Sequence, residues 1–162
     1  CNLNIWKNYY REKWFPYTMP ISDIMALDVA LDNILKEGIE NVILRHSKVA
    51  EATRKALQEF GLELFLENGF CNTVTAVKVP EYIGAIKLKN YINDKYSSII
   101  STSLKPYDNE IIRIGHMGEN ARVEEISYAL NLIGRALEDL GYESEKSLLD
   151  LFNVYYSSIY SL

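Results

Sequence analysis

Cysteine is nearly absent: Cys1 and Cys71 are the only two in 162 residues. They supply neither a disulfide framework nor a Cys-x-x-Cys metal pair, so a reducing, intracellular and cytoplasmic setting is expected. Histidine is as scarce, and His46 and His116 fall in different elements without metal-ligand spacing, so no metal site is expected. No apolar run approaches the roughly 20 residues of a membrane span, and no secretory pattern is visible. Positive charge is also short. Seventeen Lys and Arg face 22 Asp and Glu, for a net charge of -5, which argues against nucleic acid or a membrane surface as a partner.

What is present is ordinary for a globular protein, with 48% hydrophobic and 24% charged residues. The length suits one core, with room for a helical appendage. The chain starts at Cys1 rather than methionine, and its first dozen residues read like the interior of something longer, so a piece of a larger protein is expected.

Residues 1–20 are rich in aromatics and read as an irregular lead-in. Ser22 is a candidate N-cap for a helix with Ile24, Leu27, Leu31 and Ile34 on one face, stopped by Gly38. A second helix runs over 39–60 on Val42, Ile43, Val49, Ala50, Leu57 and Phe60, closed by Gly61. Its mixed charges, among them Arg45 and Arg54, read as a solvated face. The period then changes to two at Leu62, Leu64 and Leu66 and in "NTVTAVKVP" (72–80). Residues 82–95 return to a helix, 97–103 and 110–114 read as strands, and a helix follows from about Asn120 to Leu140. Ser144 is expected to cap a last helix ending near Tyr160. The order predicts an α+β two-layer sandwich, a small, mainly antiparallel sheet covered by helices, with the first two helices packed on it.

Two features stand out. Arg113 interrupts the apolar strand "IIRIG", where a permanent charge is costly unless something pairs with it. Either an Asp or Glu neighbour holds it, or it awaits an anion. Gly115 and Gly118 flank His116 and Met117, and glycine there serves a sharp turn or a close approach to a ligand. His116 and His46 read as hydrogen-bonded structural residues.

Together, "PYTMP" (16–20), "ALDVALDNILKEGIENVILRHSKVAEATRKAL" (26–57), "GLELF" (61–65), "NTVTAVKVP" and "IIRIGHMG" (111–118) resemble the C-terminal small domain of class V aminotransferases. This group includes the alanine–glyoxylate and serine–pyruvate enzymes. The resemblance implies a fold-type I enzyme using pyridoxal phosphate, held on a lysine of a large domain that is not part of these residues. It implies a division into a lead-in from that large domain (1–20), the small domain (21–141) and a C-terminal helical extension (142–162). It also implies a homodimer.

By the same resemblance Arg113 holds the substrate carboxylate, a task that suits a guanidinium fork. Thr18 of the Thr-x-Pro segment contacts the cofactor phosphate of a neighbouring subunit; the alternative is a helix-entry hydroxyl. Some relatives carry a tyrosine three residues before the threonine, where this chain has Phe15. No catalytic residue is assigned. The implied reaction moves an amino group between a small amino acid (alanine, serine or aspartate) and a 2-oxo acid (glyoxylate, pyruvate or 2-oxoglutarate), with these 162 residues inactive alone. The alternative is a non-enzymatic ferredoxin-like module that binds a ligand or regulates a partner.

Overall fold

The computed structural model describes residues 2–159, which form an α+β structure. The chain divides into two compact units, Cys1–Val42 and Ile43–Leu162. Cys1 and the expected helix end at Tyr160 lie outside the described residues.

The first unit holds a 3-10 turn at Leu3–Trp6, the short helix α1 (Tyr9–Glu12), α2 (Ile21–Glu37) and the start of α3 (Ile39–Glu59). Trp6 gathers Tyr9, Phe15 and Tyr17 at ring separations of 6.1–6.4 Å. The cap of α2 is Pro20, not Ser22, which lies inside the first turn. Proline fits this entry because the first amides of a helix lack partners anyway. Gly38 ends the helix at a φ of +84°, as its sequence position implied. The expected burial of the α2 stripe is not seen. Ile24, Leu27, Leu31 and Ile34 are 37–58% exposed, and the helix buries no residue.

In the second unit the remainder of α3 buries Val49, Ala52, Thr53, Ala56 and Leu57, the i, i+3, i+4 spacing of a helix with one apolar side. Gly61 turns the chain at a φ of +98°, a conformation that side chains resist. A methyl group there would stand 2.6 Å from the Tyr142 hydroxyl, which donates to the Phe60 carbonyl at 3.1 Å. The turn and the Phe60–Tyr142 ring stack therefore fix one another.

Three strands follow: β1 (Val74–Lys78), β2 (Ser101–Thr102) and β3 (Ile111–Gly115). They pair antiparallel in the order β1-β3-β2, with Val77 opposite Ile112 and Ala76 opposite Arg113. Two expected strands shrink. Residues 97–103 supply only the two residues of β2, and 62–66 supply a single bridge from Leu64 to Val77. The helices α4 (Ala85–Tyr96), α5 (Val123–Asp139) and α6 (Leu148–Ser158) complete the fold.

One sheet face, carrying Thr75, Val77, Ile112 and Ile114, is buried, and Val77, Ile112 and Ile114 share a core with residues from α3, α4, α5 and α6. Leu148, Leu151 and Phe152 of α6 belong to that same core. Its cap is Ser147, whose hydroxyl accepts from the Asp150 amide; Ser144 bonds within its own turn instead. The opposite sheet face carries Val74, Ala76, Arg113 and Gly115, all partly or fully exposed.

Candidate functional site

Strand alternation decides where Arg113 points. Ile112 and Ile114 face the core, so the residue between them faces away, and Arg113 is exposed. Ala76 and Ser101 flank it on the neighbouring strands. Its Nε donates to the Thr102 carbonyl at 3.0 Å, the one hydrogen bond its side chain makes among the described residues. That contact orients the guanidinium and leaves both Nη groups without an acceptor among the described residues. No described carboxylate forms an ion pair with it. The arrangement presents a fork of donors suited to a planar carboxylate.

The turn after Arg113 is pinned from below. His116 is fully buried, with Nδ1 3.2 Å from the Asn72 carbonyl and Nε2 2.8 Å from the Thr75 hydroxyl. A carbonyl can only accept, so Nδ1 carries the hydrogen and Nε2 accepts from Thr75. Burial holds the His116 pKa below its ordinary 6.5, and the nearby charge of Arg54 adds to the effect. A neutral ring with both nitrogens engaged is a structural pin, as the sequence suggested.

Two further anchors come from α3. His46 Nε2 accepts from the Gly118 amide at 2.9 Å, and Arg45 Nη1 donates to the carbonyls of Gly118 and Ala121 at 2.9 and 3.0 Å. Adjacent residues of one helix thus grip both polar groups of Gly118. Arg45 is a half-buried backbone anchor and not part of a solvated face, because unpaired carbonyls at a turn need donors. Arg54 is similarly engaged with the Cys71 carbonyl and Asn72 Oδ1, both at 3.4 Å. Helical periodicity concealed these roles, since it registers side of helix and not the distant turn that meets it. The available signal was the Arg45-His46 pair just ahead of the buried Val49.

Thr18 belongs to the first unit. It is exposed, and its hydroxyl makes no hydrogen bond among the described residues. Phe15 packs on Trp6 and Tyr9 at 6.1 and 5.7 Å and offers no polar atom. Among the described residues no group of three His, Cys, Asp or Glu could hold a metal ion. None of their helices is long and apolar enough to cross a membrane.

No family model matches the chain. It is 40% identical over 148 residues to an uncharacterized aminotransferase of Methanocaldococcus jannaschii, covering 90% of this chain and 38% of that protein. It is 34% identical over 138 residues to the serine–glyoxylate aminotransferase of Arabidopsis thaliana, covering 84% of this chain and 34% of the relative. The chain is an aminotransferase homologue. Among solved structures, pyridoxamine–pyruvate aminotransferase from Mesorhizobium loti superposes with a TM-score of 0.87 at 29% identity, over 98% of this chain and 41% of that one. The aminotransferase homologue thus spans less than two fifths of these curated relatives and about two fifths of the solved one.

Proposed function

We propose that these residues are the C-terminal small domain of a pyridoxal phosphate-dependent aminotransferase, and that Arg113 holds the substrate carboxylate. The carrying observation is the exposed Arg113 fork, oriented by Thr102 and left with both Nη groups open. A structural arginine would spend those donors on a neighbour; this one keeps them for an anion of matching shape. The substrates would be a small amino acid such as alanine, serine or aspartate and a 2-oxo acid such as glyoxylate, pyruvate or 2-oxoglutarate. Relatives named for serine, alanine and aspartate with glyoxylate support that range.

The cofactor, when bound, supplies the electron sink for the reaction. Of the described residues, Thr18 fits one contact to it, since a free, exposed hydroxyl can donate to a phosphate oxygen. No lysine here has the desolvated setting a carbonyl-bonding amine needs. Lys95, for one, pairs with Asp139 at 2.6 Å, which raises its pKa. We assign that lysine to a large domain. The unburied apolar residues of α2 support this, as does the greater length of the relatives. In this reading residues 1–20 lead in from the large domain, 21–141 are the small domain, 142–162 extend it, and the full protein is a homodimer.

In the full-length enzyme, Arg113→Ala should raise KM for the amino acid and lower kcat/KM by about 10²-fold or more. Unchanged kinetics would remove the assignment. The 162 residues alone should form no stoichiometric cofactor adduct after borohydride reduction. A single saturable pyridoxyl-lysine with turnover would show instead that they suffice.

A further inference from the structure

Gly115 ends β3, and neither its backbone nor its packing requires a glycine. It pairs with Val74 in the ladder and is absent from the glycines with positive φ. A methyl group on its Cα would meet nothing within 4 Å. Gly61 is the opposite case, needing both its φ and the space below Tyr142. Glycine in a strand gives up packing and adds freedom to the unfolded chain. At Gly115 nothing among the described residues recovers that loss.

The strand repeat of two places Gly115 on the face that carries Arg113. Gly115 also lines an open hollow of about 240 Å³ with Ser98, Ile100, Asn120 and Tyr128. The floor beside it is rigid. The His116 amide donates to the Thr73 carbonyl at 2.9 Å, its ring is buried, and Gly118 is gripped by Arg45 and His46. A side chain added at 115 would therefore enter open space and not push the chain aside.

We infer that Gly115 is a specificity-determining position: the clearance above its Cα receives the body of the molecule whose carboxylate Arg113 holds, and limits that body to a short chain. The inference rests on the carboxylate role proposed for Arg113. The ligands are two- to four-carbon 2-oxo acids and their amino counterparts, which narrows the proposed range by setting aside the five-carbon 2-oxoglutarate. Each carbon added at residue 115 removes room for a carbon on the ligand.

The test uses Gly115→Ala, Gly115→Val and Arg113→Ala in the full-length enzyme, with pyruvate and the one-carbon-longer 2-oxobutanoate as probes. Calorimetric binding and melting temperature are measured beside kcat/KM. Valine is at home in a strand, so both Gly115 variants should melt at or above the parent temperature. Gly115→Ala should weaken pyruvate about tenfold and 2-oxobutanoate more, and Gly115→Val should extend the trend, the range that one methylene commands in a substrate pocket. If Gly115→Val binds both acids as the parent does while Arg113→Ala loses them, the inference falls and the carboxylate role stands. If Arg113→Ala also leaves binding intact, both fall. A large drop in melting temperature for Gly115→Ala would make the glycine structural and overturn the inference by itself.

Discussion

Helices α2 and α5 are both 17 residues long, and both are rich in apolar side chains. α5 buries Ile126, Leu130, Leu132, Ile133, Ala136 and Leu137, whereas α2 buries none. Their sequences explain the contrast. In α5 the large apolar residues follow one stripe, so a single contact covers them. In α2, Ile21, Met25 and Val29 form one stripe and Ile24, Leu27, Leu31 and Ile34 another, with Asp28 between them. Apolar content measures how much surface a helix must cover; its distribution measures how many partners do the covering. Two stripes fit a helix that lies between two bodies, as the proposed large domain would require.

The comparison breaks most visibly in α5. Leu130→Ala should cost about 2–5 kcal/mol in chemical denaturation of this chain, because the side chain is fully enclosed and a cavity would remain. A cost below about 1 kcal/mol would mean that the α5 stripe is no better packed than those of α2.

Next in size is His116→Ala, at about 1–3 kcal/mol, since it strands the Thr75 hydroxyl inside the core. The pH response sharpens this. Burial holds the His116 pKa below 6.5 in the fold, while the unfolded chain titrates near that value. As pH falls through that value the unfolded state takes up a proton the folded state refuses, so stability drops toward acid and recovers toward neutral pH. Melting curves between pH 5 and 8 should show this slope, flattened in His116→Gln. An equal slope in the variant would assign the effect elsewhere.

Gly61→Ala should cost about 1–2 kcal/mol, from the left-handed backbone and the displaced Tyr142 hydroxyl. The smallest effect belongs to α2. Leu35 is 78% exposed, so Leu35→Ala should change stability of this chain by less than about 0.5 kcal/mol. In a full-length protein with the proposed large domain, a stripe residue such as Leu31 should become costly to truncate. Equal, small losses in both settings would leave α2 without the expected partner.

Much of the fold was legible because its signals are local. Gly38, Gly61 and Gly141 end their helices where the pattern stops, and all three have positive φ. The β-branched runs at 74–78 and 111–114 are strands for the same reason. The errors fall where a distant residue does the work. α4 begins where it does because Asn109 accepts from the Ile86 amide at 3.1 Å, and no window around Gly84 contains that residue. Ser144 and Ser147 look alike to a capping rule; only the path of the chain selects Ser147. Strand length at 62–66 and 97–103 was overread because alternation reports a half-covered face and not a hydrogen-bonded neighbour. At the candidate site, the oddity of Arg113 was visible in the sequence. The grip of Arg45 on Gly118, 73 residues away, was not.

The anchors of His46 and Arg45 take hold of peptide groups, not side chains. The identities of Met117 and Asn120 are therefore invisible to the clasp that holds them, whereas Glu119 accepts from Arg122 Nε at 2.9 Å. A gene encoding this segment could change those two codons freely while the backbone stayed moored. New recognition could then be tried beside Arg113 without refolding the surroundings, which makes the turn a natural place for one ancestral scaffold to diverge into several selectivities.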